Sequence, residues 1–180
     1  MQLDLERCIV RSFHDSDAEE LARHAENRQV WLQLRDRFPR PYSVDDAREF
    51  IAAARSVVPA TAFAVTVGDA PVGAIGVMFR DDVERHSAEV GYWIGEPLWG
   101  RGIASCALVG FTRFAFFAYE LERLFAVPFA SNVASCRVLE KAGYELEGRM
   151  RRSAVKDGAV QDQLLYAALR GNEAPATTPT

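Results

Sequence analysis

The sequence is short of the residues from which metal centres and covalent cross-links are built. Its 180 residues include three histidines and three cysteines, and Cys8, Cys106 and Cys136 are widely spaced and odd in number. Zinc sites use closely spaced ligand pairs, and small secreted domains use dense, even sets of cysteines. We therefore expect no metal site and no disulfide framework, with the thiols packed as small apolar groups.

Long apolar runs are also missing. No stretch approaches the roughly 18 consecutive apolar residues of a membrane-spanning helix, and charges come too early for a secretory signal. Hydrophobic residues nevertheless make up 49% of the chain and charged residues 26%, as in globular proteins. We expect a cytoplasmic protein with one domain over residues 1–170 and a flexible tail over 171–180.

Positive charge is not in excess. The chain has 21 basic and 25 acidic side chains, which give a formal net charge of -4. This balance argues against a broad basic face for a nucleic-acid duplex. We expect neither nucleic acid nor a membrane as a partner. Two of the basic residues are lysines, a bias that genome composition explains as easily as anion binding does.

The secondary-structure signals run from helices to antiparallel strands, then to a strand–helix–strand–helix unit and a closing hairpin. Helix signals begin at Ser16, whose spacing to Glu19 fits a capping box, and at Ser43, with further helices over 102–119 and 132–142. Strands are predicted over 61–67, 72–80, 88–94, 123–129 and 163–169. Residues 31–42, with two prolines, are predicted as a structured loop.

This order predicts an α+β fold in which helices flank a mixed, mostly antiparallel central sheet. The last strand is expected to be exposed at an edge of the sheet. An exposed edge offers unpaired backbone groups to another chain. A homodimer is one assembly that such an edge would allow.

The most informative stretch is Trp99-Gly100-Arg101-Gly102-Ile103-Ala104, which comes after a predicted strand and starts a predicted helix. Two glycines let the backbone turn tightly, so that unpaired N–H groups meet the positive end of the helix dipole. The stretch is predicted to bind a phosphate or diphosphate, with Arg101 adding a cation. The alternative is that the glycines only end a strand.

The residues after the two glycines narrow the kind of phosphate ligand. The stretch lacks the Lys-Ser or Lys-Thr ending of a P-loop, which argues against a nucleoside triphosphatase. The spacing Gly100-x-Gly102-x-x-Ser105 partly fits a dinucleotide fingerprint, with Glu120 or Glu122 near the expected distance. Against this alternative, both acids precede the next strand and an antiparallel meander precedes the loop.

The same stretch resembles the acyl-CoA loop of the GNAT superfamily of N-acetyltransferases, Gln/Arg-x-x-Gly-x-Gly/Ala, which Gly102 and Ala104 match. Trp99 departs from the usual first residue, and this aromatic form is similar to the Rim-type branch, which acetylates N-terminal amino groups of ribosomal proteins. Three further stretches resemble that branch: Phe38-Pro39-Arg40-Pro41-Tyr42-Ser43, Ala88-Glu89-Val90-Gly91-Tyr92-Trp93 and Asn132-x-x-Ser135-x-Arg137-Val138-Leu139. The resemblance extends over about residues 5–170.

The resemblance implies a GNAT fold, in which a V-shaped opening splits the sheet between two parallel strands, here near Tyr92 and Leu124. It implies acetyl-CoA as cosubstrate and no metal. The residues it places at acetyl-CoA are Tyr92, Trp93, Ile94, Trp99, Gly100, Arg101, Gly102, Ile103, Ala104, Asn132 and Arg137. For Asn132 helix capping is the open alternative, and for Arg137 a solvated surface position.

The resemblance also implies two catalytic residues. Glu89 occupies the acid position of the fourth strand and would accept a proton from the acceptor amine, with Glu84 and His86 as alternatives. The usual tyrosine acid aligns with Leu139, so Ser135 is expected to protonate or hydrogen-bond the leaving sulfur; helix capping is its alternative. Direct transfer in a ternary complex is implied, and not a covalent intermediate on a cysteine.

The acceptor is expected against the segment between the first two helices, where the resemblance places Trp31, Arg35, Phe38 and Tyr42. Core packing of Trp31 and Phe38 is the alternative. The implied acceptor is a primary amine, foremost a protein N-terminus, with a small molecule such as an antibiotic, a polyamine or an amino-acid conjugate as the second class. A non-catalytic acyl-CoA sensor is an alternative of another kind, favoured by Leu139.

Overall fold

The computed structural model describes residues 1–172, so the predicted tail from residue 173 onwards lies outside the described residues. The strands are β1 (Gln2–Asp4), β2 (Ile9–Arg11), β3 (Ala62–Val67), β4 (Ala70–Phe79), β5 (Ser87–Ile94), β6 (Arg123–Ala126), β7 (Glu145–Lys156) and β8 (Ala159–Leu169). The helices are α1 (Ala18–Ala25), α2 (Arg28–Leu32), α3 (Val44–Ser56), α4 (Ile103–Ala118) and α5 (Val133–Lys141).

The strands form one mixed sheet in the order β1-β2-β3-β4-β5-β6-β8-β7. β5 and β6 are parallel, whereas β1–β2, β2–β3, β3–β4, β6–β8 and β7–β8 are antiparallel. The predicted α+β fold with a mostly antiparallel sheet is confirmed. The expectation that the last strand is at an edge is wrong, because β8 lies between β6 and β7. The two edge strands of the described sheet are β1 and β7.

The stretch over which β5 and β6 pair is short. It runs over three pairs, from Ser87 opposite Arg123 to Glu89 opposite Phe125. β5 then continues to Ile94. This is the parallel pair at which the sequence predicts the opening of the sheet.

The chain divides into two compact units, of which the first comprises residues 1–76 and 92–107. Its helices α1 and α3 and its strands β3 and β4 contribute to one hydrophobic cluster, whose largest members are Phe13, Leu21, Tyr42 and Ile51. The other members are alanines. Small side chains of this kind let the helices approach closely while still removing apolar surface from water.

The helix starts of the first unit are set by polar side chains. Ser43 Oγ accepts the backbone N–H of Asp46 at 3.1 Å, and the Asp46 carboxylate accepts the N–H of Ser43 at 2.7 Å. This is the predicted capping box. The predicted start at Ser16 is wrong, because the N-cap of α1 is Asp17. The Asp17 carboxylate accepts the backbone N–H of His14 at 2.8 Å.

The second unit comprises residues 77–91 and the chain from Leu108 onwards. Its fully buried side chains include Phe111, Leu124 and Leu139. Two buried hydroxyl groups of this unit are paired with each other, as is usual in a protein interior: Thr112 Oγ1 and the Tyr144 hydroxyl lie 2.9 Å apart. Two turn glycines, Gly143 after α5 and Gly158 between β7 and β8, have positive φ angles of 84° and 76°, as the predicted helix end and hairpin require.

The helices are those of a globular interior. None of the helices in residues 1–172 is long and apolar enough to cross a membrane. Within the same residues, no group of three or more histidine, cysteine, aspartate or glutamate side chains is placed to hold a metal ion.

Arg11 and Asp17 form a buried ion pair that joins β2 to the start of α1. The two guanidinium NH₂ groups of Arg11 donate to the two carboxylate oxygens at 2.8 Å each, and the side chains are 13% and 4% exposed. Burial by itself raises the pKa of Asp17. The hydrogen bonds from Arg11 and from the His14 N–H outweigh burial and hold that pKa below its ordinary value.

We predict that Asp17→Asn lowers the free energy of unfolding by about 3 kcal/mol at neutral pH, because it leaves a buried guanidinium without its counter-charge. Since folding lowers the pKa of Asp17, the ionised carboxylate stabilises the fold above its ordinary pKa of about 3.9. This stabilisation is lost as the pH falls through the folded-state pKa. Urea unfolding of the wild type and of Asp17→Asn should be measured from about pH 5 towards about pH 2. The difference between their free energies of unfolding should shrink as the pH falls.

The control for this prediction is Asp45→Asn. Asp45 forms an ion pair with Arg48 in which the side chains are 82% and 61% exposed. Such a pair contributes about 0–1 kcal/mol, so this variant should unfold much like the wild type. A destabilisation by Asp17→Asn that does not change with pH would contradict the role given to the ionised carboxylate.

Candidate active site

Residues 95–102 connect β5 to α4, and the first half of this connection is held by the backbone. The Gly95 N–H donates to the carbonyl of Val72 at 2.8 Å, and the Leu98 N–H returns to the carbonyl of Gly95 at 3.0 Å. A side chain does not fit at position 95, because a Cβ there would lie 2.3 Å from the His24 ring. The loop therefore leaves β5 along a defined path.

The second half of the connection is shaped by two glycines instead of by backbone hydrogen bonds. Gly100 and Gly102 adopt left-handed φ angles of 76° and 75°, which glycine alone takes without strain. The first hydrogen bond into α4 is donated by the Cys106 N–H to Gly102 O at 2.9 Å. Within residues 1–172, the six backbone N–H groups of residues 100–105 donate to no protein acceptor. Six such donors at the positive end of a 16-residue helix suit an anion.

Trp99 fixes the loop from its side chain. Its indole Nε1–H donates to the carbonyl of Ile94 at 2.6 Å, and the residue is 44% exposed. This hydrogen bond ties the residue before Gly100 to the last residue of β5. Arg101, between the two glycines, is exposed. The structure therefore brings together Ile94, Trp99 and the two glycines of the predicted acetyl-CoA loop.

The other predicted acetyl-CoA residues of the first unit differ in exposure. The side chains of Ile94 and Ile103 are buried, at 6% and 5% exposure, and Trp93 packs against the hydrophobic cluster. Tyr92 and Ala104 are half-buried. A ligand contact through Ile94, Ile103 or Trp93 would therefore involve the backbone more than the side chain.

Glu89 lies in the middle of β5. Its neighbours Ala88 and Val90 are buried, at 0% and 3% exposure, and successive side chains of a strand alternate between its two faces. Glu89 is half-buried, and Gly91 is the next residue on its face. A Cβ at Gly91 would have no heavy atom within 4 Å. The strand therefore leaves room beside the carboxylate.

The two alternatives to Glu89 are engaged elsewhere. The Glu84 carboxylate accepts from Nε and Nη2 of Arg80 at 3.2 and 3.0 Å. The ring Nδ1 of His86 lies 2.7 Å from the carbonyl of Glu120. A carbonyl oxygen can only accept, so Nδ1 carries a proton. The choice of Glu89 as the base therefore stays a prediction from the sequence.

α5 carries the remaining predicted residues. The Asn132 side-chain oxygen accepts the backbone N–H of Ser135 at 3.0 Å, so Asn132 caps the helix. Ser135 is half-buried and Arg137 is exposed. Leu139 is completely buried. Its side chain packs in the interior, at the position where many relatives are expected to carry a tyrosine.

The predicted acceptor segment is partly helical and partly core. The sequence predicts a loop over residues 31–42, but α2 extends to Leu32 because Asn27 caps it by accepting the N–H groups of residues 29 and 30. The Phe38 and Tyr42 rings stack at 4.7 Å. Tyr42 is 7% exposed, and burial raises its pKa to about 12. Core packing, the alternative left open for Phe38, describes both rings.

Trp31 and Arg35 remain at the surface. Arg35 is exposed, and Trp31 lines a pocket of about 420 Å³ with Glu26, Arg40 and Pro41. The Arg40 guanidinium lies 5.4 Å from the centre of the Trp31 ring. Sequence reasoning missed Glu26 and Arg40 as lining residues. Arg40 stands beside a proline in the motif segment, which is a usable signal, whereas nothing in the sequence distinguishes Glu26.

Two of the three cysteines, Cys8 and Cys136, are poor nucleophiles in this fold. Burial raises the pKa of Cys8, and the neighbouring Cys106 thiol raises it further. Burial also raises the pKa of Cys136. A raised pKa keeps both thiols protonated at neutral pH, whereas the thiolate is the reactive form.

The family is established by these residues together with comparison to known proteins. The protein-family model described as "Acetyltransferase (GNAT) domain" matches residues 7–145. This range includes the loop, β5 and α5. The chain belongs to the GNAT acetyltransferase family. The resemblance predicted from the sequence is thereby confirmed.

Individual relatives refine the comparison. The N-acetyltransferase YoaA of Bacillus subtilis is 34% identical over 103 residues, 57% of each chain. This match, like several others, spans little more than half the length of the curated relative. The ribosomal protein uS5-alanine N-acetyltransferase of Escherichia coli is 30% identical over 175 residues, 93% of this chain and 90% of its own. The structure of Mycobacterium smegmatis RimJ in complex with CoA-disulfide superposes with a TM-score of 0.82 at 23% identity, covering 94% of this chain and 88% of that chain.

We predict that Trp99→Phe loosens the loop, because it removes the donor to Ile94 O and keeps an aromatic ring. The loss of one hydrogen bond should lower the free energy of unfolding by about 1 kcal/mol, and the hydrogen-bonded amides of Leu98 and Cys106 on either side of the loop should exchange faster with deuterium. Chemical denaturation and hydrogen exchange measure the two effects. Phe117→Leu is the control, since Phe117 is 92% exposed. Unchanged unfolding in Trp99→Phe would show that the indole N–H contributes nothing to the loop.

Proposed function

We propose that the protein transfers an acetyl group from acetyl-CoA to the α-amino group of another protein, foremost a ribosomal protein. The observation that carries this proposal is the row of six backbone N–H groups at the start of α4 that have no protein acceptor within residues 1–172. The full-length similarity to the uS5-alanine enzyme supports the acceptor class. Such an acceptor would place the reaction in the cytoplasm.

The loop fits the diphosphate of acetyl-CoA. A Cβ at Gly100 would meet no heavy atom within 4 Å, so the backbone there is open to a ligand. Arg101 is exposed beside these amides and would add a cation. The backbone of Tyr92 to Ile94, the first turn of α4, and Asn132 through its Nδ2 group would hold the rest of the molecule, with Arg137 near a phosphate.

Acetyl-CoA supplies a thioester, and the protein must supply a base, a donor for the leaving sulfur and a place for the amine. Glu89 would accept a proton from the acceptor ammonium, directly or through a water. The free amine would then attack the thioester carbonyl and form the carbon–nitrogen bond, the carbon–sulfur bond would break, and the second proton lost by the nitrogen would go to the departing sulfur to give the thiol of CoA. Ser135 would donate a hydrogen bond to the departing sulfur, because a hydroxyl is a weaker acid than the thiol being formed.

Direct transfer in a ternary complex suits Cys8 and Cys136 better than a covalent intermediate does. The raised pKa values of Cys8 and Cys136 keep these thiols protonated. The amine acceptor would enter beside Trp31 and Arg35, near the pocket that Glu26 and Arg40 also line. The mixed charge of this pocket suits a peptide, which offers both donors and acceptors along its main chain.

We predict that Gly102→Ala weakens CoA binding about tenfold, or about 1.4 kcal/mol, because the strained backbone displaces the amide donors. Gly158→Ala is the matched control, since Gly158 has a closely similar φ of 76° in the β7–β8 turn. Both changes should destabilise the fold by about 1–2 kcal/mol, but the control should leave CoA affinity unchanged. Isothermal titration measures the affinities. Equal affinities for the two variants would remove the loop from CoA binding.

We predict that Ser135→Ala lowers kcat at least about tenfold with little change in CoA affinity. The backbone N–H that Asn132 accepts is retained in this variant, so α5 keeps its cap. Ser131→Ala is the control, because the Ser131 hydroxyl is exposed and donates to Gln161 at 2.7 Å. Steady-state kinetics and titration with CoA separate the two quantities. Equal losses of turnover and affinity would make Ser135 a structural residue.

The acceptor is tested by thiol release from acetyl-CoA with peptides that carry ribosomal-protein N-termini, lysine-containing peptides with blocked N-termini, and small amines. Acetylation of the α-amino peptides, identified by mass spectrometry, supports the proposal. Preference for an antibiotic, a polyamine or an amino-acid conjugate would replace the protein acceptor with a small molecule. CoA binding without thiol release for any amine would instead indicate an acyl-CoA sensor.

A further inference from the structure

We propose that Arg7 is a further binding residue for the diphosphate of acetyl-CoA. This inference rests on the proposed function, because it assigns a second element of the chain to the same ligand. Arg7 lies in the turn between β1 and β2, far in sequence from the glycine loop. The loop and the turn belong to the same compact unit.

The position of Arg7 is given by its contact with the loop. A Cβ built on Gly102 would lie 3.4 Å from Cδ and 3.6 Å from Nε of Arg7. The end of the arginine stem therefore lies against the glycine whose left-handed backbone precedes α4. The guanidinium group begins at Nε, so its charge begins beside Gly102, one of the six residues whose N–H groups donate to no protein acceptor within residues 1–172.

The turn that carries Arg7 is fixed on both sides. The Leu5 N–H donates to the carbonyl of Cys8 at 3.0 Å, which closes the turn around Arg7. The Cys8 thiol is buried and donates to the carbonyl of Ile103, the first residue of α4, at 3.9 Å. The backbone beside Arg7 is therefore attached to the helix start that carries the amide donors.

The partners of Arg7 leave its charge accessible. Within residues 1–172, its one ion pair is with the adjacent Glu6, at 3.1 Å between Nη2 and Oε1, and the side chains are 54% and 56% exposed. An exposed pair of this kind contributes little to stability. Arginine presents donors in a planar fork that matches phosphate oxygens. Glu6 engages Nη2, so Nε and Nη1 are the donors of Arg7 that this ion pair leaves for a ligand on the loop.

The test compares Arg7→Met with wild type in titrations with three ligands: CoA, dephospho-CoA, which lacks the 3′-phosphate, and pantetheine, which lacks all phosphates. Methionine retains the apolar stem against Gly102 and removes the charge. Arg7→Met should weaken CoA and dephospho-CoA by the same factor, about tenfold, and leave pantetheine affinity unchanged. Arg48→Met, in an exposed ion pair with Asp45, is the matched control and should change none of the three affinities.

Each of the other possible results contradicts a different part of the proposal. Unchanged CoA affinity in Arg7→Met, with a loss in Gly102→Ala, would overturn the role of Arg7 and leave the proposed function standing. A loss with CoA but not with dephospho-CoA would move Arg7 to the 3′-phosphate. An equal loss for pantetheine would reduce Arg7 to support of the loop. If wild-type protein binds none of the ligands, the proposed function fails and this inference fails with it.

Discussion

The left-handed backbone at Gly100 and Gly102 is the constraint on which the rest of the candidate site depends. Three other helices, α2, α3 and α5, begin at a side chain that accepts one or two of their first N–H groups, namely Asn27, Ser43 and Asn132. α4 begins after a glycine, which has no side chain to offer. Its first N–H groups are therefore satisfied by solvent or by a ligand, and the exposed loop makes both accessible.

A helix without a cap needs another source of stability, and α4 has one in its apolar face. Ile103, Ala107, Leu108 and Phe111 are buried, at 5%, 1%, 0% and 0% exposure. Burying a leucine or phenylalanine side chain contributes about 1.5–3 kcal/mol, whereas an N-cap contributes about 1 kcal/mol. Packing therefore compensates for the missing cap, and the helix start can serve a ligand without loss of the fold.

Features that depend on adjacent residues could be predicted from the sequence, whereas features that depend on distant partners could not. The capping box at Ser43, the glycine that ends α5 and the two glycines of the candidate loop each specify a backbone conformation locally. β1 and β2 have three residues each, too few for a period-two pattern to be distinct. The place of β8 between β6 and β7 depends on pairing across the sheet. The contact of Arg7 with Gly102 likewise joins distant parts of the chain, so composition gives no reason to single it out.

The class of the acceptor amine determines the free energy that is needed to remove its proton. An α-amino group has an ordinary pKa of about 7.7–8.0 and a lysine of about 10.4. At neutral pH, freeing the amine of its proton therefore costs about 1.4 kcal/mol for the first and about 4.6 kcal/mol for the second. Under the proposed function, a single strand carboxylate such as Glu89 would be sufficient for the α-amine, whereas a lysine or polyamine would require a site that also lowers the pKa of the substrate. In the Trp31 pocket, Glu26 would stabilise the ammonium form of a bound amine, and Arg40 would stabilise its neutral form. Under the proposed function, an α-amine therefore makes the smaller demand on the base, because it is already close to neutral before it binds.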